Sequence, residues 1–264
     1  MAALLTSVLD NTDKVIEYSG ECARLGIKVL PPDVNISNGG FTADNGKIRF
    51  GLNAVKNVGR NLIERVVEER KEKPYSSLYD FCKRMHGTEL NRRAVECLIK
   101  AGAFDSMGVN RHSLVEAVDG IIKSVESDSR RNLEGQLDLF SVMSGESQTA
   151  DTDSYEIKPF PEYSHTELLQ QEKEVSGLYL SGHPLDAYRE QSAQFATHTI
   201  KALTGEDANV PDNSHVRIVC TIVKSKMVTT KTNSMMAYTS VEDLTGTMEV
   251  IVFPRTLETF RDVL

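Results

Sequence analysis

Apolar residues recur at helical spacing through the first half of the chain and change to a strand-like pattern near its end. Val15, Ile16, Cys22 and Leu25 predict helix within residues 1–25, with Asn11 or Thr12 able to cap its second piece and Gly26 ending it. Pro31 and Pro32 force extended chain, and residues 41–50 predict a hairpin turning at Asp44-Asn45-Gly46. Between 51 and 122 four apolar faces follow: Leu62, Ile63, Val66 and Val67, stopped by Pro74; Leu78, Phe81, Cys82 and Met85; Ala94, Val95, Leu98 and Ile99 after a cap at Asn91; and Leu114, Val115, Val118, Ile121 and Ile122. From Ser124 to about His165 the periodicity fails in favour of Ser, Asp, Glu and Gly, which predicts a flexible linker. Helical pattern returns over 167–175. After Pro211 three strands are expected, at 216–223, 236–241 and 248–253, with Gly246 at the last turn and a helical stretch over 256–263. The fold class that follows is multidomain α+β, divided at 1–50, 51–123, 124–165, 166–210 and 211–264.

A chain of 264 residues suits two domains or three small modules. Its 40% hydrophobic content supports globular cores, and no run approaches the ~18 apolar residues of a spanning helix, so no membrane partner is expected. No basic region precedes the short apolar stretch after Met1, which argues against a signal peptide. Cys22, Cys82, Cys97 and Cys220 lack zinc-ligand spacing, and the six histidines do not cluster. Reduced thiols in a cytoplasmic protein are expected.

The net charge of −8 is unevenly spread. Residues 47–131 carry 17 Lys and Arg against 12 Asp and Glu; the rest carries 13 against 26. A basic middle between acidic flanks directs attention to nucleic acid at that middle.

Two segments there share one layout. Leu52 to Ile63 reads as a short helix, a turn at Gly59 and a longer helix; Leu98 to Arg111 repeats this with Gly102 and Gly108. Both resemble helix-hairpin-helix units, here in tandem. Glycine lets backbone approach a ligand, and the following helix offers unpaired N–H groups and a positive dipole end, which suits phosphate and reads no base. The candidate DNA contacts are Lys56, Val58, Gly59, Arg60 and Asn61 from the first unit and Gly102, Gly108, Asn110 and Arg111 from the second.

Within the linker, Gln136-Leu137-Asp138-Leu139-Phe140 sets three apolar residues where no helical or strand pattern buries them. Such a cluster suits another protein's pocket, and this string resembles the bacterial sliding-clamp-binding motif. In the tail, Val216–Lys224 and Tyr238–Phe253 resemble the first three strands of an OB-fold, which makes Lys224, Lys226, Lys231 and Tyr238 candidates for single-stranded DNA. Five strands close such a barrel, so a fragment or a completing partner is expected.

Taken together the order of modules resembles the alpha subunits of bacterial DNA polymerase III, the C-family replicative polymerases. Further stretches carry the likeness: Ala3–Lys14, Arg24–Asn35, Phe50–Gly59 and Glu174–Asp186. The resemblance covers essentially the whole chain and makes residues 1–50 the end of a fingers region, followed by the tandem hairpins, the linker with its clamp motif, connecting helices and a truncated OB-fold. It implies that the catalytic palm, with its Mg²⁺-holding aspartates, would lie before Met1, so that no cofactor and no catalytic residue belong to this stretch. Met1 matches an internal methionine of that family. The implied partners are double-stranded DNA, the single-stranded template, the sliding clamp and other holoenzyme subunits; the implied role is processivity. A helix-hairpin-helix repair enzyme, which would need a metal cluster, and a pure clamp adaptor remain as alternatives.

Overall fold

The computed structural model of the protein describes residues 1–88, 90–133, 155–205, 208–230 and 233–263. The peptide Gln136–Phe140 and Lys231 lie outside the described residues. The chain forms two compact units, Met1–Ser181 and Gly182–Leu264.

The first unit opens with α1 (Ala2–Ser7) and α2 (Thr12–Arg24), the latter capped by the Asn11 side chain on the Lys14 N–H and left through Gly26 at φ +72°. A small mixed sheet follows. Strands β2 (Thr42–Asp44) and β3 (Lys47–Arg49) pair antiparallel, and β1 (Val29–Leu30) pairs parallel to β3. Asn45 (φ 49°) and Gly46 (φ +79°) make the left-handed two-residue turn that the sequence predicts. Gly51 lies so close to the Gly39 and Gly40 backbone that a Cβ there would fall 2.6 Å from the Gly40 carbonyl carbon.

Then come α3 (Arg60–Glu69), α4 (Leu78–Arg84, capped by Ser77), α5 (Arg92–Lys100, capped by Asn91), α6 (Arg111–Leu133) and α7 (His165–Ser176). Their inward faces are those of the sequence pattern. Leu62, Ile63 and Val66 from α3, Phe81 and Cys82 from α4, Leu98 and Ile99 from α5, and Leu114, Val118 and Ile121 from α6 are all buried in one core. Burial pushes the Cys82 thiol up to about 12, so it stays protonated and inert.

Two expectations are corrected. Residues 1–50, 51–123 and 166–181 are not separate domains, because Leu5, Phe50, Leu98 and Val175 belong to the same core. Short elements such as α1 and β1–β3 cannot bury an apolar face alone, so they complete the larger helical body. The linker is also shorter than expected. Helix α6 runs on to Leu133, held past residue 123 by the Tyr79 hydroxyl donating to Asp128 at 2.7 Å. Beyond it, Tyr155 returns to the same body: its ring stacks on Tyr79, and its hydroxyl lies where a Cβ on Gly120 would be, 2.0 Å away. That close passage accounts for glycine inside a helix, where it otherwise costs about 1 kcal/mol.

The second unit contains α8 (Arg189–Phe195), α9 (Ile200–Thr204), an antiparallel meander of β4 (Thr221–Thr229), β5 (Met235–Asp243) and β6 (Gly246–Val252), and α10 (Pro254–Phe260). Ala237, Thr239, Val241 and Asp243 point inward at strand spacing, and buried Leu257 brings α10 against β5. The first strand starts at Thr221, five residues later than expected. Its predicted beginning is engaged elsewhere: Arg217 exchanges hydrogen bonds with Thr197 at 2.8 Å in both directions. Among the described residues the three strands form an open sheet, not a closed barrel.

Candidate nucleic-acid interface

The first hairpin is anchored from below and open above. Buried Leu52 and Val55 hold its short leading turn (Leu52–Ala54), and buried Leu62 and Ile63 hold the helix that follows. The Lys56 N–H donates to the Val175 carbonyl at 2.8 Å and the Lys56 ammonium to the Glu174 carbonyl at 2.9 Å. Asn57 adopts φ 63°, in the left-handed region, with its amide directed at the Cys97 sulfur. Val58 packs half-buried against the core. Gly59 is the N-cap of α3, extended and exposed, and no side chain caps the helix from that position. Arg60 and Asn61 form the exposed first turn. Arg60 meets Asp10 at 2.5 Å, but both side chains are mostly in water, so the pair is weak and can be exchanged for a phosphate.

The second hairpin is closed at Gly102 and Arg111, which are buried and are corrected as expected contacts, while Gly108 stays exposed and Asn110 partly so. Arg111 is buried and contributes no surface charge. Its guanidinium donates to Asp105 at 2.9 and 2.7 Å, to the Glu172 Oε1 at 3.0 Å from both terminal nitrogens, and to the Lys100 carbonyl at 3.1 Å. Gly102, buried at φ +83°, makes room for that guanidinium; a Cβ would fall 2.4 Å from Arg111 Nη2. Gly108 is exposed at φ +76°, but the helix beyond it has no vacant amides to offer.

The first amides of α6 are taken by the chain's own side chains. Glu162 accepts from the Arg111 N–H at 2.9 Å and the His112 N–H at 3.1 Å, while the Asn110 side chain accepts from Ser113 at 2.8 Å. Asn110 also donates to the Phe160 carbonyl, and the His112 ring stacks on Tyr163 at 4.4 Å between centroids. Burial works against the Glu162 charge, and the N–H groups of Arg111, Tyr163 and His112 outweigh it, so the carboxyl is held below the usual range. A carboxylate thus occupies the position at which the sequence predicts a phosphate.

Residues 26–114 match a family model described as a helix-hairpin-helix motif. DNA polymerase III alpha subunits align with the chain from end to end: that of Borreliella burgdorferi is 37% identical over 266 residues, that of Saccharopolyspora erythraea 38% over 268, and that of Escherichia coli K12 32% over 267. The chain is homologous to a segment of the DNA polymerase III alpha subunit. It spans 22–23% of the length of these relatives.

The remaining candidates lie on the sheet of the second unit. Tyr238 on β5 pairs in register with Lys226 on β4, and Ser240 with Lys224, so both lysines and the ring share one face. Tyr238 is half-buried and both lysines are exposed.

Two features of the interface were not among the sequence expectations. Glu162, 51 residues from Arg111, carries no local signal. Arg92 and Arg93 were legible in principle, since two cations in a helix's first turn oppose its dipole. Among the described residues no three His, Cys, Asp or Glu side chains converge as a metal site requires, and no helix is long and apolar enough to cross a membrane.

Proposed function

We propose that this segment holds DNA and a sliding clamp for a replicative polymerase and performs no chemistry of its own. The observation that carries the reading is the first hairpin: Lys56, Gly59, Arg60 and Asn61 exposed at a helix N-terminus on a buried base. Backbone amides and cations there suit the sugar-phosphate chain of a duplex and ignore its sequence. With Gly102 and Arg111 buried, the second hairpin contributes less to this grip than the first. The peptide Gln136–Phe140 supplies the clamp anchor, and the lysine and tyrosine face of the three-stranded sheet, read as part of an OB-fold, supplies a weak contact for single-stranded template. Several weak grips on one chain raise effective concentration at each, which is processivity.

The test is duplex binding by fluorescence anisotropy across salt concentrations. Lys56→Gln/Arg60→Gln should weaken binding equally for all sequences and flatten the plot of log K against log salt by about 0.9 for each phosphate no longer neutralised. A base-dependent effect, or an unchanged slope, would overturn the phosphate reading.

The clamp contact separates from it. Leu139→Ala/Phe140→Ala should weaken clamp affinity by at least about 2 kcal/mol, roughly 30-fold. Duplex affinity should stay constant, because both anchors lie outside the basic residues. Wild-type clamp affinity in a calorimetric titration would refute the assignment.

A further inference from the structure

We infer that the cleft between the first hairpin turn and α5 is a second phosphodiester site, with Arg93 as its binding cation. This rests on the reading that the first hairpin grips a DNA backbone, and it extends that grip to a neighbouring phosphate. The cleft has a volume of about 470 Å³ and is lined by Asn57, Arg92, Arg93, Glu96, Lys100 and Glu174, among others. Asn57 comes from the hairpin turn itself, so an anion held here lies beside the exposed residues Lys56 and Gly59.

Charge placement singles out Arg93. Helix α5 begins with Arg92 and Arg93 and has no acidic residue in its first turn. Two cations at the positive end of a helix dipole are locally unfavourable, and an anion bound there relieves both the dipole and the like-charge crowding. The neighbouring cations are already engaged. Arg92 pairs with Glu96 at 2.7 Å and with Asp119 at 2.9 Å, and Lys100 pairs with Glu174 at 3.5 Å. Arg93 is exposed, lines the same cleft and has no ion-pair partner among the described residues. Glu96 and Glu174 thus neutralise the two flanking cations and leave one uncompensated positive charge facing the space.

The packed surroundings favour a fixed ligand position. Cys97 at the cleft floor is buried and accepts from Asn57, and Ala94, Val95 and Leu98 of α5 are buried in the core. The guanidinium of Arg93 can present two parallel N–H donors to phosphate oxygens, which a lysine cannot.

The experiment compares Arg93→Gln, Arg93→Lys, Arg24→Gln and the Lys56→Gln/Arg60→Gln pair in the full chain, using a short fluorescein-labelled duplex across a salt series. Arg93→Gln should lower affinity about tenfold and reduce the salt slope by about 0.9, the value for a single phosphate. Arg93→Lys should restore the slope but not the full affinity. Arg24→Gln, an exposed position on α2 whose charge is paired with Glu21 and which lies outside the cleft, should leave the slope unchanged. All four variants should melt as the unaltered chain does, since the replaced side chains are exposed. If Arg93→Gln leaves slope and affinity unchanged while the Lys56/Arg60 pair reduces both, the cleft site is wrong and the hairpin reading stands. If neither has an effect, the hairpin reading itself fails. An equal effect of Arg24→Gln and Arg93→Gln would mean that general charge is sensed, and would also overturn the site.

Discussion

Replacing Arg111 with alanine should lower the unfolding free energy of the first unit by about 3–5 kcal/mol, because it strands a buried charge. Glu172 has a fully buried side chain, and its two oxygens are completely used: Oε1 accepts from both terminal nitrogens of Arg111, and Oε2 accepts from the N–H groups of Leu180 and Ser181 at 2.8 and 2.9 Å. The carboxylate therefore ties the chain leaving α7 to the second hairpin. Arg111→Lys should recover only part of the stability, since an ammonium is a point donor where the guanidinium makes a planar fork to Asp105 and Glu172 together. Urea unfolding followed by circular dichroism measures this. The paired variant Arg111→Met/Glu172→Met should cost less than the sum of the single changes, although the Leu180 and Ser181 amides are deprived of their acceptor. If Arg111 acted at the DNA surface, the result would be the reverse: unchanged stability with weakened duplex binding and a flatter salt slope.

The second large effect is expected at Phe104. It is fully buried beside the Gly102 turn, and its ring meets Phe81 edge-on at 5.1 Å; Phe81 in turn meets Tyr75 edge-on at 5.0 Å. This ladder joins the second hairpin to α4 and to the segment before it. Burial raises the Tyr75 hydroxyl to about 12, so it remains a donor to the Val66 carbonyl across the working pH range. Phe104→Ala removes a ring from a closed space and should cost about 3–5 kcal/mol in the same unfolding measurement. Phe104→Leu keeps much of the volume and should cost distinctly less. Near-wild-type stability for the alanine variant would show that the hairpin packs loosely and that the aromatic contacts are incidental.

These two sites bear on the interface directly. Both stabilise the second hairpin as a structural element, whereas the first hairpin leaves Lys56, Gly59, Arg60 and Asn61 exposed. Weakened DNA binding in Arg111→Ala would therefore follow unfolding, while weakened binding in Lys56→Gln/Arg60→Gln would occur without it. Measuring stability and binding on the same variants separates a support from a contact.

Local signals in the sequence determined the helices, their caps at Asn11 and Asn91, the Asn45-Gly46 turn and the inward faces from Leu62 to Ile121, because each depends on residues only a few positions apart. The first hairpin was legible for the same reason: its glycine, its cations and its helix are contiguous. Tertiary structure alone decided that the second hairpin closes. Its glycine turn and arginine look equivalent in sequence, but Glu172 and Glu162 reach it across 61 and 51 residues, and no periodicity or turn preference encodes a carboxylate arriving from so far away. The same holds for the single core that merges residues 1–50 with the helices and for Tyr155 lying against Gly120. Side-chain pattern fixes what each segment can bury or bind; which charge meets which amide depends on the folded path of the whole chain.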